Sequence, residues 1–255
     1  MLQIRIIPCL LLRGAGLVKT TRFKDPKYVG DPINAIKIFN DKEVDELVLL
    51  DISASRERRG PAFTVIEEVA GECFMPLAYG GGIASVEDAR RILKLGVEKV
   101  IFNTTAWRRP EVLSDASREF GAQAVVASID VRRKLFGGYE VVIDGGSKGT
   151  GVDPVDHALR MQDAGAGEIF LTSVDRDGTM KGYDAEMVAR VTAAVGLPVI
   201  ASGGAGSLSD FKQVVSKGGA AAASAGAMFV FHGPHRAVLI TYPPRAELER
   251  ELGIV

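Results

Sequence analysis

Two strand ends in this sequence invite comparison because they align and yet differ in chemistry. VASIDVR (126–132) carries Asp130 where an apolar run ends, while IPCLLLR (7–13), laid on it, offers Leu11 at the same place. A carboxylate at such a strand end can serve as general acid or base, or it can anchor the loop that follows. A leucine has no proton to exchange. Glycine pairs end two other runs, Gly81-Gly82 and Gly203-Gly204, and the runs after them end in the small turns Asn103-Thr104 and Ala225-Gly226. Glycine lets backbone N–H groups approach an anion, and a following helix N-terminus adds a favourable dipole, so each turn pair reads as a phosphate cradle. A lone glycine pair would equally serve a tight βα turn; the duplication favours the cradle. Asp51 and Asp177 close two further runs and are candidates for orienting substrate hydroxyls, with Lys19 on the first loop as an anion partner. Arg5, Glu46, Lys99 and Glu168 open runs at the other end, two basic and two acidic, a set suited to an alternating ring that serves stability or acts as a gate.

The elements that must position these groups are legible as eight apolar runs, at 4–12, 46–53, 75–81, 99–104, 124–130, 168–174, 197–204 and 220–226. They lack strict polar alternation, as strands covered on both faces must, and the segments between them, such as 86–96 and 184–196, carry helical periods. Eight β-α units predict a single closed parallel (β/α)8 barrel, an α/β fold. A shift of 122 residues lays MPLAYGGGIASVEDARRILKLG (75–96) without a gap on LPVIASGGAGSLSDFKQVVSKG (197–218), and DELVLLDISAS (45–55) on GEIFLTSVDRD (167–177). The repeat predicts one domain over 1–255 built as two fused half barrels, about 1–122 and 123–255.

Length and composition agree. A chain of 255 residues suits one such barrel, and 47% hydrophobic content, 25% charged residues and a net charge of -1 argue against general attraction to nucleic acid or anionic membrane. Cys9 and Cys73, the two cysteines, lie in apolar stretches and are expected to be buried reduced thiols; no metal site and no cofactor is expected. Arg5 and Pro8 interrupt the apolar start and no small-residue cleavage site follows, and the longest apolar stretch, 218–231, is short of a membrane span. A cytoplasmic location is the expectation.

Taken together, RII and CL at the start, GDP at 30–32, DELVLLDISAS, GGGI, Asn103-Thr104, GAQAVVASID, GAGEIFLTSVDRDGT, KGYDAEM and ASGGAG make a chain that closely resembles the cyclase subunit of imidazole glycerol phosphate synthase over nearly its whole length. The resemblance implies a barrel that binds a bisphosphate, receives ammonia from a glutaminase subunit docked at its N-terminal face, and uses two aspartates for acid–base work. It carries over Asp130 as one of them, the glycine turns as phosphate sites, and Arg5, Glu46, Lys99 and Glu168 as the ammonia gate. The second aspartate of the family falls at position 11, where this chain has Leu11, and the RGAG that follows replaces a polar turn. Loss of one of two acid–base groups should slow the cyclisation by about 10²-fold or more.

The tail MFVFHGPHRAVLITYP (228–243) also departs from the family, which continues into ordinary helix. His232 and His235 stand there as possible ligands or a base, although Gly233-Pro234 points to a structural loop. With PCLLL and residues 27–56, this tail is similar to a divergent branch found in surface-polysaccharide gene clusters. That likeness implies ammonia delivery to a third, amidating enzyme that converts an acetamido sugar to an acetamidino one. The alternatives are an authentic cyclase, forming imidazole glycerol phosphate and AICAR from PRFAR and ammonia, and a non-catalytic scaffold that binds a phosphorylated ligand.

Overall fold

The computed structural model describes residues 4–253. Eight parallel strands close on themselves: β1 (Arg5–Arg13), β2 (Leu47–Asp51), β3 (Leu77–Gly80), β4 (Lys99–Phe102), β5 (Val125–Arg133), β6 (Glu168–Ser173), β7 (Val199–Ser202) and β8 (Ala222–Ala225). Each pairs with the next, and β8 returns to β1 through Arg5 opposite Ala222. The helices α1 (Pro32–Asp41), α2 (Phe63–Glu72), α3 (Val86–Lys94), α4 (Pro110–Phe120), α5 (Pro154–Asp163), α6 (Ala185–Thr192), α7 (Leu208–Ser216) and α8 (Arg245–Leu252) connect or follow them. This is the expected (β/α)8 barrel.

Side chains divide by strand parity into two cores. Ile7, Cys9, Leu11, Val48, Ala78, Ile101, Val126, Phe170, Ile200 and Ala222 fill the lumen, whereas Ile6, Leu10, Leu12, Leu47, Leu49, Val125, Ile169 and Leu171 pack outward against the helices. A strand covered on both sides has no polar face to spare, and each fully buried aliphatic side chain contributes roughly 1.5–3 kcal/mol.

The repeat is visible in the helix caps. Ser85 and Ser207 precede α3 and α7 with the same torsions, φ -149° and ψ 164°. Asp88 Oδ2 accepts the backbone N–H of Ala84 at 3.0 Å, and Asp210 Oδ2 accepts those of Gly206 and Ser207 at 2.9 Å. Asp31 and Asp153, again 122 positions apart, cap α1 and α5, each followed by a proline whose missing N–H costs nothing at that position.

Three hairpins were not expected from the apolar runs. A first arm follows β1, Gly16–Thr21 against Lys24–Gly30, and a second follows β5, Tyr139–Ile143 against β5 itself and against Lys148–Gly149. The third is the divergent tail: after a short helix, Ala227–Val230, Phe231–His232 pairs with Ala237–Val238. It turns Arg236 (φ 52°) so that its guanidinium donates to the Gly178 carbonyl and reaches Thr21 Oγ1 at 3.5 Å, tying the tail to the first arm.

Ser85→Ala removes the hydroxyl that accepts the Asp88 N–H at 3.1 Å. A loss of about 1 kcal/mol is expected from urea unfolding, with no change of fold by circular dichroism.

Candidate functional site

A cavity of about 160 Å³ opens at the C-terminal ends of the strands. Leu11, Asp130, Lys19, Asp51, Asp177 and all eight residues of the two turn pairs, Gly81, Gly82, Asn103, Thr104, Gly203, Gly204, Ala225 and Gly226, line it. Strand register supports the pairing of Leu11 with Asp130. Leu11 lies opposite Leu50 on β2 and Asp130 opposite Thr172 on β6, and Leu50 and Thr172 are themselves equivalents under the 122-residue shift. One lumen position at the mouth is thus a leucine on one side of the barrel and a carboxyl on the other.

Asp130 is buried, and that burial pushes its carboxyl up to about 7, against the hydrogen bond from Asn103 and with help from the negative charge of Asp177. Asn103 Nδ2 donates to Asp130 Oδ2 at 3.1 Å and to the Ser128 carbonyl at 3.2 Å. Asn103 therefore orients the carboxyl, a role its place in a turn did not suggest. An acid that titrates near neutrality can both give and take a proton there.

The other carboxylates are already engaged. Lys19 is a buried residue of the first arm's strand, not of an irregular loop, and its Nζ lies 2.8 Å from Asp177 Oδ1. Thr20 Oγ1 donates to Asp177 Oδ2 at 3.1 Å. Asp177 sits in the turn four positions past the end of β6, and Gly178 beside it packs so close to the first arm that a Cβ would stand 2.1 Å from the Thr20 carbonyl. Asp51 Oδ1 accepts the N–H groups of Ser53 and Ala54, both at 3.1 Å, and Arg59 Nη1 stands 2.7 Å from Oδ2. It holds the β2 loop in shape as well as lining the cavity.

The glycines have a packing reason of their own. A Cβ on Gly82 (φ 72°) would lie 2.8 Å from the Gly60 backbone, and one on Gly204 (φ 122°) 2.2 Å from the Gly182 carbonyl. Such contacts exclude any side chain and bring the turns against the neighbouring loops. The two short helices beyond them, Thr104–Arg108 and Ala227–Val230, are capped by Asn103 and Gly226. The structural equivalence is thus Asn103 with Gly226, one position from the sequence pairing with Ala225. First-turn N–H groups of a helix lack intrahelical acceptors, and both short helices start from turns that line the cavity.

At the N-terminal face the four predicted charges form a closed ring. Arg5 binds Glu46 and, through Nη2, Glu168 at 2.6 Å; Lys99 Nζ reaches Glu46 at 3.1 Å and Glu168 at 2.9 Å. Burial works against the Arg5 charge, but Glu168 and Glu46 outweigh it and hold the guanidinium protonated. Inside the ring the lumen is apolar, lined by Ile7, Val48, Ala78, Val126 and Ala222.

His232 and His235 are exposed on the tail hairpin, and among the described residues no three His, Cys, Asp or Glu side chains group as metal ligands. Cys9 is buried in the lumen, its thiol pushed up by burial to about 12. Cys73 departs from expectation: it is partly exposed beyond α2, its Sγ donating to the Met75 carbonyl at 3.3 Å. Among the described residues no helix is long and apolar enough to cross a membrane.

Comparison with known sequences matches residues 5–234 to the family described as "Histidine biosynthesis protein". The chain belongs to this family. A Pseudomonas aeruginosa protein provisionally named imidazole glycerol phosphate synthase subunit hisF2 is 52% identical over 249 residues, 98% of this chain and 99% of that protein. A Vibrio vulnificus protein provisionally named subunit hisF3 is 47% identical over 255 residues, 100% of this chain and 98% of the other. An Alkaliphilus metalliredigens protein named imidazole glycerol phosphate synthase subunit HisF is 47% identical over 232 residues, 91% of this chain and 92% of its own. The chain is thus an enzyme of the HisF type, from a family of cyclase subunits.

Sequence reasoning passed over Arg59, Thr20 and Ser128, which build the site by holding its named members. In this HisF-type chain burial pushes the Asp130 carboxyl up to about 7 from an ordinary value of 3.8. A raised carboxyl stabilises the fold fully at low pH and loses that contribution as pH rises from about 3.8 through about 7. Asp130→Asn is expected to remove the loss, so that the variant gains Tm relative to the parent between pH 5 and about 8 in paired thermal melts. A parallel pH dependence in both proteins would contradict the assignment.

Proposed function

We propose that this HisF-type barrel receives ammonia from a glutaminase subunit docked at its N-terminal face, and that the ammonia serves amidination of an acetamido sugar in surface glycan biosynthesis, through a third, amidating enzyme. The observation that carries this reading is Leu11: one of two acid–base positions at the mouth has no ionisable group, while ring, lumen and glycine turns are complete.

Each part has a physical task in this scheme. The ring of Arg5, Glu46, Lys99 and Glu168 acts as the gate. Its ion pairs close the N-terminal end of the lumen, and Lys99, a point charge on a flexible stem, is the member best able to swing aside. An apolar lumen suits neutral ammonia and disfavours ammonium, whose desolvation is costly. At the mouth the turns Gly81-Gly82 with Asn103-Thr104 and Gly203-Gly204 with Ala225-Gly226 hold phosphate through backbone N–H groups. Lys19, Asp51 and Asp177 fix the walls around the ligand, and Asp130 is the carboxyl left for acid–base work.

A second reading, an authentic cyclase in histidine biosynthesis, is favoured by the near-neutral Asp130 and by the Alkaliphilus relative named without reservation as subunit HisF. It requires Asp130 to work alone. Turnover of PRFAR with ammonium salts by the purified chain separates the two. We expect a rate about 10²-fold or more below that of a two-carboxylate barrel, partly restored by Leu11→Asp. A normal rate in the parent chain would sink the amidination reading.

The gate has its own test. With a glutaminase partner bound, Lys99→Ala and Glu168→Ala should continue to support glutamine hydrolysis while less of the ammonia reaches product. The ratio of glutamate to aminated product measures this; unchanged coupling in both variants counts against the gate.

A further inference from the structure

Above the cavity the mouth widens into a cleft of about 750 Å³ between the two arms and the loop after β2. It shares Thr20, Phe23, Ile52, Arg56 and Gly145 with the cavity, so the two spaces are continuous. Five cations line it, Arg13, Arg22, Lys24, Arg56 and Arg132, against three carboxylates, Asp25, Glu57 and Asp175.

Two of those carboxylates already have partners. Arg59 Nε lies 2.7 Å from Glu57, and Asp175 Oδ2 accepts the Arg133 N–H at 2.7 Å. Two of the cations are also engaged, Arg132 with Glu140 at 2.9 Å and Arg56 with the Asp144 and Gly145 carbonyls. Arg13, Arg22 and Lys24 differ: among the described residues their side chains make no hydrogen bond and no ion pair within 4.0 Å. The field of Arg13 reaches Glu57, whose carboxylate Arg59 already holds.

Arg13 and Arg22 also project from fixed backbone. Arg13 ends β1 and pairs with Gly16, and Arg22 begins the left-handed turn of the first arm (φ 53°), its N–H donating to the Asp177 carbonyl at 2.8 Å. The two guanidiniums thus flank the strand that carries Lys19, with unspent donors in a recess that opens onto the reaction cavity.

We propose that this cleft is a third anion subsite, taking the diphosphate group of a small ligand whose remainder enters the cavity. Guanidinium forks match phosphate oxygens bidentately, and several cations spread across one recess suit a diphosphate better than a single phosphate. The recess lies within the barrel mouth and the chain as a whole has a net charge of -1, so a small ligand fits better than an extended polyanion. The inference stands on the cleft's own charges and is independent of the route of ammonia.

The test is titration calorimetry on the full chain with inorganic pyrophosphate and with uridine diphosphate at low ionic strength. Both are expected to bind saturably. Arg13→Gln/Arg22→Gln should weaken both by about tenfold or more, Arg13→Lys/Arg22→Lys should weaken them less, and melting curves should report intact folds. Tighter binding of uridine diphosphate would assign a nucleoside-linked ligand and equal binding a diphosphate read alone; either upholds the subsite. An unchanged Kd in the glutamine variant would overturn it. So would a crystal structure with pyrophosphate in the glycine turns and none against Arg13 and Arg22.

Discussion

Closure of the parallel barrel decides where every functional group stands. In a parallel strand successive side chains point to opposite faces, and closure turns one face into a narrow lumen. Arg5, Ile7, Cys9 and Leu11 therefore form one inward column on β1, and Val126, Ser128 and Asp130 another on β5. A single-residue slip in either strand would exchange lumen and helix-facing residues throughout. The charged ring, the apolar middle and the titrating carboxyl are levels of one stack.

Electrostatics differ sharply between those levels. At the N-terminal face four buried or half-buried charges neutralise one another in a closed circuit, which limits the desolvation cost of holding ions inside a fold. At the mouth Asp130 has a hydrogen bond from Asn103 but no cation of its own, because Lys19 is spent on Asp177. Burial then favours the neutral acid. The same chain thus pairs its charges at one end of its lumen and leaves a buried carboxyl without a cation at the other.

The barrel was legible in the sequence because its strands are buried on both sides and its repeat is gapless over 75–96 and 197–218. The residues lining the cavity were legible for the same reason, since strand ends in a barrel converge. What the runs could not reveal were contacts across loops. Thr20 meets Asp177 only because a hairpin folds back over the mouth, and a hairpin whose outer strand reads KDPKYVG, mostly exposed, lacks the apolar signature of a core strand. Arg59 and Asn103 act through side-chain geometry that no spacing rule encodes, and the one-residue shift from Ala225 to Gly226 arises where β8 ends one position later than its counterpart.

The tail hairpin fastens a part of the molecule made long before it. Arg236 grips Gly178 and Thr21, and Tyr242 Oη donates to the Ile6 carbonyl at 2.9 Å, so this stretch of chain holds the first arm and the start of β1. During synthesis the first strand and its arm emerge more than two hundred residues ahead of these anchors. Until the anchors arrive β1 also lacks its partner β8, and its apolar edge waits unpaired. Closure of the barrel consequently waits for its last strand, and until then the edge of β1 that β8 will cover stays open to other strands.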